Sequence, residues 1–165
     1  MNTILYEVGF QLEISYLLLI FLALAFPLTL ILKWHEITVI NRIILGIACA
    51  ILLLVCVVGF KSQYDMYTTV MNAYKTGQYQ IVDGYVENFQ PLQSGGHGLE
   101  SIEINGVQFY YSDHKVMPGY HAVKDHGGVI TGNGQHLKIG YVYYNDLYGN
   151  IIVYIEELDE GSLTS

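Results

Sequence analysis

Two uninterrupted apolar runs, Ile14–Leu32 and Ile43–Phe60, stand ten residues apart at the front of this chain, and neither carries a charge. They are 19 and 18 residues long. At about 1.5 Å per residue, a helix of that length spans roughly 27–30 Å, the thickness of a bilayer's hydrocarbon core. The pair predicts a helical hairpin that crosses a membrane twice and leaves both chain ends on one side. The first run has no basic segment ahead of it and is too long for the apolar stretch of a signal peptide, so it reads as a retained span. Residues after Phe60 are of a different kind, polar and rich in Gly and Tyr.

Charge separates the two parts. Residues 1–60 hold Lys33 and Arg42 against Glu7, Glu13 and Glu36, whereas residues 61–165 hold five Lys and no Arg against twelve acids, a net of −7. A domain that acidic is not a general binder of phosphate backbones, whose affinity comes from Lys and Arg. Both cysteines, Cys49 and Cys56, lie in the second run, which leaves the soluble part without disulfides or thiolate metal sites. Lys33 and Arg42 between the runs are balanced by Lys61 and Lys75 beyond them, so the positive-inside rule is nearly tied. The Cys-free domain favours cytosolic termini in a bacterial inner membrane.

The second helix is expected to continue past the membrane. Gly46, Ala50, Leu53, Val57, Phe60, Tyr64, Tyr67, Met71 and Tyr74 follow a 4-3 spacing, a heptad seam. From Lys61 onward most off-seam positions are polar, and Gly77 marks the stop. A helix from Ile43 to Lys75 would be roughly 50 Å long. Its aromatic stripe requires a cover, supplied either by the chain's own β domain or by identical copies in a parallel bundle. In the second case Gly46 and Ala50 permit close approach, and Leu53, Val57 and Phe60 form apolar rings of the kind that gate by dewetting. Pro27 predicts a kink in the first span. Leu5, Val8 and Leu12, opposite Glu7 and Glu13, predict a short amphipathic segment at the interface.

From Gln78 the period changes to two. A strand is expected over Gln78–Phe89, then a Gly-rich loop at 94–98, then a hairpin in which Asn105-Gly106 joins Ile102–Ile104 to Val107–Tyr110. A second hairpin follows, Leu137–Tyr144 and Ile151–Glu157, after a Gly- and His-rich stretch over 113–136. Five strands in this order predict a small antiparallel, barrel-like module of the OB or SH3 type. The expected fold class is therefore an α+β membrane protein. Its parts are a hairpin over 1–60 (spans 14–32 and 43–60), a helical stalk over 61–76, a β module over 77–158 and an acidic tail over 159–165.

Enzyme motifs are lacking: no nucleophile elbow, no zinc-protease helix, no phosphate loop and no Cys beside a His. No enzymatic activity and no cofactor are expected. His114, His121, His126 and His136, with Asp113 and Asp125, contain ligand types zinc accepts, yet their spacing fits no metal motif. Solvated, pH-responsive loop histidines are the plainer reading. Fifteen tyrosines are the compositional oddity. Strand positions favour Tyr, but Tyr and His near Lys are also the groups that stack bases and hold a few phosphates. Tyr110, Tyr111, His114, Lys115, Tyr120, His121, Lys124 and Lys138 are the candidate ligand residues.

Two N-terminal spans followed by a compact β domain resemble, in layout, the membrane effectors of nucleotide-signalled bacterial anti-phage systems. Those include two-span β-barrel effectors and the transmembrane effector of the Hailong system. The stretch from Glu100-Ser101-Ile102 to Tyr110-Tyr111-Ser112-Asp113 is also similar to a widespread group of uncharacterised bacterial membrane proteins. The first resemblance implies a homo-oligomer, a tetramer or larger, that forms a channel under control of a nucleotide or single-stranded oligonucleotide. It also implies a nucleotidyltransferase encoded nearby. The alternative is a membrane-anchored β module that docks another protein and conducts nothing.

Overall fold

The computed structural model describes residues 2–9, 21, 25, 27–28, 38–92, 98–115 and 117–159. Most of the first apolar run, the Pro27 kink, most of the Gly-rich loop at 94–98 and the tail beyond Asp159 lie outside the described residues. Phe21, Ala25, Pro27 and Leu28 are helical. The chain divides into two compact units, one of residues 1–10 with 66–165 and one of residues 11–65. The first of these units takes in the N-terminus and residues 66–76 of the expected stalk together with the β module.

Among the described residues one helix, α1 (Val39–Lys75), is long and apolar enough to cross a membrane. The Thr38 carbonyl accepts the Arg42 amide at its start. At its end Gln78 N donates to the Ala73 carbonyl and Gly77 N to the Tyr74 carbonyl, with Gly77 at φ +70°. This pair of bonds satisfies carbonyls that a helix end otherwise leaves open, and it needs a left-handed residue, which glycine supplies. The stop at Gly77 is as expected.

Among the described residues the β module has seven antiparallel strands: β1 (Thr3–Glu7), β2 (Gln80–Tyr85), β3 (Glu87–Gln90), β4 (Glu100–Ile104), β5 (Val107–Tyr111), β6 (His136–Tyr143) and β7 (Asn150–Glu157). They form a four-stranded sheet, β1-β7-β6-β2, and a three-stranded sheet, β3-β4-β5. The expected single strand over Gln78–Phe89 breaks at Val86, and Asn88 adopts φ +50°. That bend carries the chain from one sheet to the other. The Asn105-Gly106 turn has positive φ at both residues, as the hairpin requires.

Residues Thr3–Glu7 are not the expected amphipathic interface segment. They form an edge strand, paired Thr3 with Glu157 and Glu7 with Tyr154, and Val8 N donates to the Val153 carbonyl at 2.9 Å. Five residues can serve either as a short helix or as a strand, and only the open edge of β7 decides between them.

β7 is buried on both faces. Ile152 and Ile155 enter the core between the sheets with Ile102, Ile104, Phe109, Leu137 and Ile139. Ile151 and Val153 enter a second core with Val8, Met66, Val70 and Met117. A register shift opposite Gly140/Tyr141 makes this possible by changing which β7 side chains face inward. It also explains the unbroken apolar run Ile151–Ile155, since a strand covered on both sides has no reason to alternate. The β domain of the same chain therefore covers one side of the stalk from Met66 onward, with Met71 and Tyr74 of the seam packed against it in part. Met66 and Val70, off the heptad seam, are the stalk's most buried residues, while Tyr64 on the seam is 60% exposed. Met66 and Val70 thus have their cover within one copy.

Candidate functional site

The features that converge lie where β4 begins and β5 ends. Glu100 and Tyr111 are register partners there, and both are buried. The Glu100 carboxylate accepts the Lys124 amide at 3.0 Å and the Leu92 amide at 3.5 Å. A carboxylate without solvent needs such donors. It fixes the loop that follows β5 against the end of the sheet. Tyr120 provides a second anchor. Its hydroxyl accepts the amides of Val129 (2.8 Å) and Ile130 (3.4 Å), and its ring meets Tyr6 and Tyr111 edge-on, each with centroids 5.2 Å apart. Gly119, at φ +95°, lets the chain pass over β7: a Cβ there would lie 2.5 Å from the Ile152 carbonyl oxygen.

The third anchor is ionic. His126 Nδ1 bonds the Asp113 carboxylate, and His114 Nε2 lies 3.5 Å from the other oxygen. The bond to Asp113 raises the His126 pKa, and the same bond lowers that of Asp113. An Asp–His pair is the orienting half of a general-base device. Two nearby hydroxyls have other work, however: Tyr120 serves the loop amides, and buried Ser112 accepts the His114 amide at 3.3 Å. The pair acts as a tether. Among the described residues no three His, Cys, Asp or Glu converge as a metal site would need.

The eight candidate ligand residues do not form one surface. Tyr111 and Tyr120 are core residues, so their rings have no open face for a base; burial first, then the charge of Glu100, pushes the Tyr111 pKa up. Lys138 lies near the start of β6, 3.4 Å from Glu156 and opposite Asp83 on β2, so acids already take its charge. Burial opposes ionisation of Glu156, yet bonds from Tyr154, Asn2 and Lys138 hold its pKa below the usual range. The Lys115 ammonium lies 6.0 Å from the Tyr148 ring centroid. His121 Nδ1 approaches the Gly119 carbonyl at 3.0 Å. Only Tyr110, His114 and Lys124 stay exposed near the anchored loop. The Lys124 ammonium sits 5.4 Å from the Phe89 ring centroid.

The sequence reading missed Glu100, Tyr6 and Phe89. Glu100 had a signal: an acid at the first position of a short strand, with Tyr111 as its hairpin partner. The pore or packing set is found exposed, with Leu53 at 43%, Val57 at 65% and Phe60 at 54%, and Gly46 and Ala50 likewise open. The more covered face of α1 in the apolar stretch is Arg42, Leu45, Cys49 and Cys56. No protein-family model, curated protein or solved structure matches the chain.

Proposed function

We propose that the chain is a two-pass membrane effector that assembles with copies of itself, so that α1 lines or supports an ion pore under control of the β module. The observation that carries this reading is the bare apolar sheath of α1. From Val39 to Phe60 its large side chains are open on nearly every side, a surface that demands lipid or other helices. The seam Gly46, Ala50, Leu53, Val57, Phe60 belongs to that uncovered surface, as a copy-to-copy contact requires.

Parity supports two crossings. β1 pairs with β7, and Met66 and Val70 pack on the same strand. The chain between Gly9 and Met66 therefore leaves and rejoins one domain, and an odd number of crossings would strand the two attachments on opposite sides. The run Ile14–Leu32 is the partner span. A cytosolic β module in a bacterial inner membrane fits its lack of cysteine. With Tyr111, Tyr120 and Lys138 otherwise engaged, a nucleotide or short oligonucleotide would meet Tyr110, His114 and Lys124 beside the anchored loop. Anti-phage defence is the setting that the resemblance in layout implies.

The test is ion efflux from proteoliposomes together with the mass of the detergent-solubilised particle. Leu53→Asn or Val57→Asn should raise basal efflux in an oligomeric particle, because a polar ring wets an apolar constriction. A monomeric particle with no efflux from either variant would refute the channel. One observation favours the second reading, a membrane-anchored docking module: Met66 and Val70 of the stalk have their cover within a single copy, so no assembly is needed to bury them.

A further inference from the structure

Contacts within the unit of residues 1–10 and 66–165 define the end from which both of its chain segments lead away. The Tyr74 hydroxyl bonds Glu7, and Tyr67 OH donates to the Gly9 carbonyl. Glu7 pairs with Tyr154, and Val8 N donates to the Val153 carbonyl. Stepping back along α1 from Tyr74 to Tyr67 therefore follows β1 outward and β7 toward its beginning. Both chain segments that go to the apolar region leave the unit in the direction of the β6–β7 turn, Tyr144–Gly149.

That turn has an unusual surface for an acidic domain. Leu147 at its tip is 76% exposed and Tyr143 is 55% exposed. Tyr144 and Tyr148 stand behind them with rings 6.0 Å apart, and the Lys115 ammonium lies over Tyr148. Four of its six amides are paired within it. Asn145 Oδ1 accepts the amides of Leu147 and Tyr148, both at 3.0 Å. The Gly149 amide donates to the Asn145 carbonyl at 2.7 Å, the Tyr144 amide to the Gly149 carbonyl at 3.1 Å, and Tyr143 OH to the Asp146 carboxylate. A turn with most of its amides already paired loses less when water is thinned around it. Tyr with a neighbouring Lys is the composition that settles at headgroup depth, ring toward the acyl chains and polar end toward phosphate.

We propose that the β6–β7 turn is a membrane foot: Leu147 and Tyr143 enter the headgroup–acyl boundary, and Lys115 meets lipid phosphate. This rests on the membrane reading given above. Three strand residues separate Val153 from Asn150, about 10 Å, so the turn stands at the end of the unit from which residues 9 and 66 lead away.

The experiment uses the full chain in phosphatidylcholine nanodiscs containing phosphatidylglycerol and acyl-brominated lipid as a contact quencher of tryptophan. Trp34 is the chain's one tryptophan and is first replaced by Phe. Leu147→Trp is the probe, Thr131→Trp, before β6 at the far end of that strand, is the control, and Val58→Trp reports whether α1 is in lipid. Expected are strong quenching at 58, a loss of about half the emission at 147, as for a ring in the boundary region, and none at 131. Quenching at 58 but not at 147, or equal quenching at 147 and 131, would overturn the foot and leave the membrane reading intact. Absence of quenching at 58 would overturn the membrane reading itself, and the foot with it.

Discussion

The docking of the stalk on β7 can be tested against a bundle of stalks by one pair of substitutions. Val70→Ala removes two methyl groups from a side chain with no solvent exposure. At about 0.8 kcal/mol per buried methylene-sized group the transfer loss is about 1.6 kcal/mol, and an incompletely collapsed cavity raises it to about 2–3 kcal/mol. For a domain of this size that lowers the melting temperature by about 10–20 °C. Tyr64→Ala removes a much larger ring, yet one that is 60% exposed, and should cost less than about 0.5 kcal/mol. Near-ultraviolet circular dichroism of the detergent-solubilised protein on heating, with urea unfolding in parallel, reads both. If the stalks instead pack on one another through Tyr64, Tyr67 and Tyr74, the order reverses. A Tyr64→Ala loss equal to or above that of Val70→Ala would refute the assignment of the second core.

Three further outcomes follow from the site and sheet. Glu100→Ala leaves the Lys124 amide without its acceptor and should destabilise by about 1–3 kcal/mol, with faster hydrogen exchange at Lys124; Glu100→Gln keeps an acceptor and should cost less. The His126–Asp113 tether depends on pH at both ends: it is fully present below the ordinary His pKa of 6.5 and lost as pH rises through the raised His126 value. At the acid end it is present above the ordinary Asp pKa of 3.8 and lost as pH falls through the lowered Asp113 value. Amide shifts of Gly127 and Gly128 should therefore move together on the alkaline side, and Asp113→Asn should abolish the movement. Gly140→Ala places a Cβ 2.8 Å from the Tyr79 ring and 3.1 Å from Tyr154 Cβ. Overpacking there should cost about 1–3 kcal/mol in urea titration, and a wild-type midpoint would show that Tyr79 does not lie on Gly140.

The features that the sequence determined by itself are those set by local chemistry. A charge-free run from Ile43 to Phe60 can only be a buried or lipid-facing element, Gly77 is the residue that a helix stop of this geometry needs, and Asn105-Gly106 demands a tight hairpin whatever surrounds it. The change of period at Gln78 gave the β module in the same way, because alternation reports a half-buried strand. What the sequence left undecided concerns partners distant in the chain. Nothing local in Thr3–Glu7 states that β7 has an open edge to receive it. Nothing in the heptad spacing states that the cover for the stalk is Ile151 and Val153, with Met66 and Val70 inward in place of Tyr64. Tyr111 and Tyr120 carry the same side chain as Tyr110, and only packing determines that the first two close a core while the third meets water. Residue type fixes what a group can do; burial and the nearest charge, which are properties of the assembled layers, decide what it does.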